Sequence, residues 1–287
     1  MKEILDLPSE WWMQPQTVYT LIEWFKRHVL ALFVSAKEEG ERRYFLFSGF
    51  IIKREENLVW VTAGHVIDRL NKIRTDPNFE ILQMQWIDEH DGSSDVPFHV
   101  HHPNFKTYSA MEDDIDIGIG LLEGLDALNL EQNENLGIIT EQAWKNLVEA
   151  SPEGYYLIGY PSEWIEESKQ RVSRSQIVRS FIMNMACIPI SPLNWEDLPY
   201  QGGSWKDPDA FYGHIEPFPS EQGEQPLDIS GMSGGPLLSI ERTPSGQLAY
   251  RLVGVQSSWL ENRRLIRAEL ILTFAKMVDS WITVLTT

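Results

Sequence analysis

All seven histidines of this 287-residue chain precede Ser233, the serine at the centre of the segment DISGMSGGPLL, Asp228 to Leu238. The segment is a bare bend that runs straight into apolar residues, and it admits two readings. Glycine-rich turns before strands are common because glycine supplies positive φ angles without steric cost. The same pattern also sets a hydroxyl at the apex of a turn whose backbone N–H groups are unobstructed, as stabilising an oxyanion requires. A serine hydroxyl becomes nucleophilic beside a histidine base, and that base works best when a carboxylate fixes its tautomer. The order of these three residue types along the chain therefore restricts the fold.

Gly231 to Gly235 also satisfies G-x-S-x-G, the nucleophile elbow of α/β-hydrolases, but in that fold the histidine follows the serine. Here none does. A subtilisin order needs an aspartate ahead of the histidine, and before His65 only Asp6 qualifies, in a terminus without regular pattern. What is left is histidine, then aspartate, then serine.

Hydrophobic patterning supports an all-β chain with a helix at each end. Val18, Leu21, Ile22 and Phe25 recur at helical spacing over Thr17 to His28. Residues 29–52 read as a hairpin whose polar turn runs from Lys37 to Arg43, and 57–62 as a strand that ends at Ala63-Gly64-His65. Short strands continue over 81–87, 96–102 and 116–122, a spacing that suits a barrel or a sandwich. Residues 123–150 read as a connection with a short helix. A second β set begins at GYYLIGYP (154–161) and continues through QIVRSFIMNMACIPI (176–190), PLLSI (236–240) and YRLVGVQSS (250–258). The stretch 191–225, rich in Pro, Gly, Trp and acids, reads as a long surface insertion. AELILTFAKMVDSWITVL (268–285) reads as an amphipathic closing helix.

Three motifs in this order resemble the trypsin-like serine proteases, of the intracellular or bacterial type. Leu58-Val59-Trp60-Val61-Thr62-Ala63-Gly64-His65 is similar to the family's strand ending in T-A-A-H, Asp116-Ile117-Gly118-Ile119 to its D-I-A-L segment, and Gly231 to Pro236 to its G-x-S-G-G-P signature. The resemblance covers roughly residues 29 to 287. It implies two six-stranded antiparallel β-barrels: 29–150 with His65 and Asp116, and 151–287 with Ser233, the insertion 191–225 and the closing helix, after a helical extension over 1–28. It also implies Ser233 as nucleophile, His65 as general base, Asp116 as its orienting acid, and an oxyanion hole from the N–H groups of Gly231 and Ser233. Asp114 shares the strand parity of Asp116 and stays as an alternative. For the substrate pocket the resemblance points to Leu227, Asp228 and Ser257. Leu227 implies an apolar preference, and a one-residue shift towards Asp228 implies a basic one.

Where the activated members of the family carry an aspartate before the serine, this chain has Met232. The switch built on a freshly cut N-terminus is therefore absent, and restraint is expected from the N-terminal helix, from 191–225, or from a regulatory protein partner, as in a stress or phage-defence effector. The alternatives are a protease-fold scaffold with a distorted site and an esterase using the same triad.

Composition narrows the partners. A formal net charge of −18 repels nucleic acid and anionic membranes. The start MKEILDLPSE has neither the basic end nor the apolar core of a secretory signal, and no run approaches a membrane span. A lone cysteine, Cys187, forms no internal disulfide, as suits a reducing compartment, so a cytoplasmic protein acting on protein or peptide is expected. His99, His101 and His102 have no cysteine or well-spaced acid beside them and read as exposed strand residues, so neither metal nor cofactor is expected.

Overall fold

The computed structural model describes residues 21–87, 105–110, 115–132, 136–141, 143, 152–162, 165–171, 177–183, 185–199, 205, 207–215, 228–242, 246 and 248–286. Its first half starts with a hairpin, β1 (Ala31–Glu38) against β2 (Glu41–Phe47). The turn is only Glu39-Gly40, at φ 52° and 89°, the left-handed pair that matches strand twist. The polar turn expected over 37–43 is thus mostly strand, because its charged side chains lie on an exposed ribbon and pair there, as Lys37 does with Glu80 at 2.7 Å.

The strands β3 (Phe50–Arg54), β4 (Asn57–Thr62), β7 (Ile117–Leu122) and β6 (Phe105–Ala110) form one four-stranded sheet, in that order. β1 and β2 form a second sheet with β5 (Phe79–Ile87), on the other side of β1. The chain passes from one sheet to the other at Ser48-Gly49, between β2 and β3, so the half is built from six extended runs, one of them broken. The strand expected over 57–62 is β4, and a helix that the sequence reading did not include, α1 (Gly64–Thr75), follows it directly. Its buried residues Val66, Ile67, Leu70 and Ile73 fall at helical spacing and seat it on the sheet. A second helix, α2 (Gly124–Gln132), lies within the expected connection.

The second half is a closed six-stranded antiparallel barrel made of β8 (Pro152–Gly159), β11 (Ala186–Leu193), β12 (Phe211–Ile215), β13 (Pro236–Arg242), β14 (Leu248–Leu260) and β15 (Leu265–Leu270). Two sequence readings are corrected here. The stretch 176–190 is not one barrel run: β10 (Ile177–Met183) pairs with β9 (Ile165–Arg171) as a separate ribbon, and only β11 enters the barrel. The supposed insertion 191–225 contributes barrel strand at both ends of its described part, since Ile190 to Leu193 pair with Tyr212 to Ile215. The strand Phe-Tyr-Gly-His-Ile is too short, among prolines, tryptophans and acids, to stand out by alternation; pairing with both β11 and β15 stabilises it.

The closing helix α3 runs over Ile271–Thr286, and Ala268 to Leu270, read as its first turn, belong to β15. It returns to the first half, where Asp279 receives the Arg54 guanidinium at 2.5–2.9 Å and Trp281 stacks on Tyr108 at 4.6 Å. The described part of the N-terminal helix, from Leu21, buries Leu21 and Phe25, and Phe25 meets Tyr250 edge to face. One apolar cluster joins the halves, bringing Phe50, Val61 and Ile119 together with Tyr156, Ile158 and Leu238. Cys187 is free and buried in it, and burial pushes its thiol pKa up. Among the described residues no helix is long and apolar enough to cross a membrane.

Candidate active site

Ala63, the residue before α1, has no side chain to cap a helix, so the first turn of α1 presents N–H groups that need an acceptor. Asp116, just before β7, supplies it from 51 residues away: its Oδ1 accepts the His65 N–H at 2.9 Å. Its Oδ2 accepts the His65 Nδ1 proton at 2.7 Å. One carboxylate therefore caps the helix and holds the imidazole tautomer that leaves Nε2 as the basic nitrogen. Gly64 makes the approach possible, since a Cβ there would lie 2.9 Å from Asp116 Oδ1. The His65 side chain is 43% exposed and that of Asp116 only 14%, so the base faces solvent while its orienter is shielded. Asp114 lies outside the described residues.

The serine turn is built by two glycines that no other residue replaces. Gly231 (φ 94°) and Gly234 (φ 90°) are left-handed, and a Cβ at Gly234 would run into Thr62 and the Ser48 carbonyl. Gly234 N–H donates to the Gln256 carbonyl at 2.8 Å and Gly235 N–H to that of Met232 at 2.8 Å. The N–H groups of Gly231 and Ser233 have no acceptor among the described residues, the state a developing oxyanion would use. Sequence reasoning missed the residue that holds this turn from across the molecule. Ser48, wholly buried where the chain changes sheet, donates its hydroxyl to the Gly231 carbonyl at 2.7 Å and accepts the Tyr160 N–H at 3.0 Å.

His65 and Ser233 line the same cleft of about 420 Å³, together with Phe45 and Arg69 on the first half and Ser162 and Gly231 on the second. The Arg69 guanidinium sits over Phe45 and Phe79, at 5.2 and 5.8 Å from the ring centres. No hydrogen bond joins Ser233 to His65. Met232 is fully buried, packed with Ile229, Leu237 and Ala268 under the turn.

Of the residues taken for the substrate pocket, Asp228 and Ser257 are not among those that line this cleft. Leu227 lies outside the described residues, as do His99, His101 and His102. Asp228 accepts the N–H of Ser230 at 2.8 Å within its own turn. Ser257 is buried where the ladder between β14 and β15 slips between Gln256 and Ser258, and its hydroxyl donates to the Arg267 carbonyl at 3.4 Å.

Behind Asp116 lies a polar layer that sequence reasoning did not anticipate. Glu269 is 2% exposed and accepts the Asp116 N–H at 3.3 Å. Arg267, with no exposed surface, holds Glu269 at 3.1 Å and Asp207 at 3.5 Å. Burial raises the Glu269 pKa, opposed by Arg267, by the Asp116 N–H and by the Ser257 hydroxyl. The one signal available was two opposite charges at i and i+2 in the apolar string LIRAEL, which alternation puts on one face of a strand.

No protein-family profile matches the chain, and no curated protein matches it. Among solved structures it is similar to an inactive form of Rv3671c from M. tuberculosis H37Rv, at 12% identity and TM-score 0.43, with 93% of each chain covered. It is also similar to the active form of the Rv3671c protease, at 12% identity and TM-score 0.42, covering 90% of this chain and 82% of that one. A third likeness is to the protease Anisep from Arthrobacter nicotinovorans, at 13% identity and TM-score 0.40, covering 85% and 90%.

Proposed function

We propose that this chain is a trypsin-like serine endopeptidase whose base and orienting acid come from residues 29–150 and whose nucleophile comes from 151–287. The observation that carries this reading is the double grip of Asp116 on His65, through N–H and Nδ1, beside a cleft that also holds Ser233. His65 Nε2 takes the Ser233 proton as Oγ bonds to the scissile carbonyl carbon, and Asp116 stabilises the imidazolium that forms. The carbonyl oxygen, now anionic, is met by the N–H groups of Gly231 and Ser233. The imidazolium then gives its proton to the leaving amine as the C–N bond breaks, leaving an acyl-serine. Water, deprotonated by the same histidine, releases the acid and restores the hydroxyl.

Supporting an apolar residue before the scissile bond is the engagement of Asp228 with its own turn. Restraint in the absence of an activation cut falls to the N-terminal helix, to residues 191–225, or to a protein partner. The lone cysteine supports a cytoplasmic setting.

The test is labelling by a serine-directed fluorophosphonate, with Ser233→Ala as control. Labelling of the wild type and none of the variant is expected. A wild type that stays unlabelled with candidate activators present would replace this reading with the protease-fold scaffold. Turnover of small esters without any peptide would replace it with the esterase.

A further inference from the structure

The polar layer behind Asp116 is a buried cluster in contact with the site that the catalytic steps above do not use. Asp116 is the residue that leads directly into β7. Its carboxylate is tied to His65, but a carboxylate fixes a histidine only as well as its own backbone is fixed. The group that reaches that backbone is Glu269, from the opposite half. The groups facing Glu269 are the Asp116 amide and carboxylate from the first half, the Ser257 hydroxyl from β14, and Arg267 from its own strand. Asp207 lies beyond Arg267.

From this geometry, and resting on the proposed hydrolase reading, we infer that Glu269 is a positioning residue: held by the buried Arg267, it pins the Asp116 backbone so that His65 presents Nε2 to Ser233. An ion pair with side chains 0% and 2% exposed is costly to bury for stability alone. Hydrophobic residues of the same volume often fill such a space as well or better, and what they could not supply is the acceptor the pair delivers to Asp116. It also links the halves: the aspartate of one is aligned by a carboxylate of the other, so the histidine is set for proton transfer only when the two are docked.

Removing Glu269 alone leaves Arg267 buried beside Asp207 with its nearer partner gone, a change that threatens folding by itself. The experiment therefore compares two double variants of the full chain. Arg267→Met with Glu269→Gln discards both charges and keeps an oxygen that accepts the Asp116 N–H. Arg267→Met with Glu269→Leu discards the acceptor as well. Cooperative thermal unfolding is checked for each, and two readouts follow: the rate of fluorophosphonate labelling, and the NMR resonance of the His65 Nδ1 proton. The glutamine variant is expected to label within about threefold of wild type and to keep the resonance, and the leucine variant to label about 10- to 100-fold more slowly with the resonance broadened or lost. Equal labelling rates and equal resonances in the two variants overturn the inference. If the wild type itself does not label, the hydrolase reading fails, and the resonance alone decides whether Glu269 positions Asp116.

Discussion

The two halves of the molecule are closed in different ways. The second is a barrel in which each of six strands pairs with two neighbours, so its hydrogen-bond ladder needs nothing from outside. The first is two sheets of three and four strands, whose outer face is completed by a helix from the other end of the chain. The Ser233 turn grows from the self-sufficient half; His65 and Asp116 belong to the dependent one. The site is therefore assembled by docking: Ser48 of the first half grips Gly231 of the second, and Glu269 of the second grips Asp116 of the first. Stability lost at that seam should cost activity before it costs either half its fold.

The comparison breaks first at Asp116. Asp116→Asn keeps the size of the side chain but presents the wrong hydrogen-bonding face to Nδ1, and labelling by fluorophosphonate is expected to fall by about 10⁴-fold, as the triad template implies. Next is Trp281→Ala, which removes the ring that seats the closing helix on Tyr108. A loss of about 3–5 kcal/mol in urea unfolding is expected, with the first half melting ahead of the barrel in hydrogen exchange.

His28 gives a pH-dependent version of the same test. It lies between the N-terminal segment and Gly137, whose carbonyl accepts its Nδ1 proton at 2.6 Å, and burial lowers its pKa from 6.5 to about 4. The ring is neutral when folded and protonates near 6.5 when unfolded. The unfolded state thus binds more protons between pH 6.5 and 4, and stability is full above that window and falls as pH drops through it, by on the order of 3 kcal/mol. His28→Leu is expected to be less stable at pH 7 but to lose much less between pH 7 and pH 5, as urea midpoints would show. The smallest effect belongs to Ser48→Ala, which strands the Gly231 carbonyl and the Tyr160 N–H and should cost about 1–3 kcal/mol. Its labelling rate should fall without loss of cooperative unfolding, locating the damage at the seam.

How much was legible depended on whether a residue's neighbours in space are also neighbours in sequence. The serine turn is local: two left-handed glycines and a short bend show as glycines in the string. The strands β4, β7, β8, β13 and β14 are local too, since apolar runs of strand length bounded by polar turns mark buried strands without help from their neighbours. The helix at His65 was legible in Val66, Ile67, Leu70 and Ile73 but was hidden by the strong strand running into it. Strand β12 carries little propensity of its own and is extended because two partners pair with it.

By itself the sequence determined that this is an all-β chain with helical ends, and it narrowed the order of the chemistry-bearing residues to histidine, aspartate, serine. Those are properties of periodicity and order, which a linear string carries in full. Only the tertiary structure decided that the aspartate which orients His65 also caps its helix, that Ser48 holds the serine turn, and that Arg267 and Glu269 stand behind Asp116. Each of those is a hydrogen bond or ion pair between residues whose proximity is created by burial and strand register. No pattern within either segment encodes it.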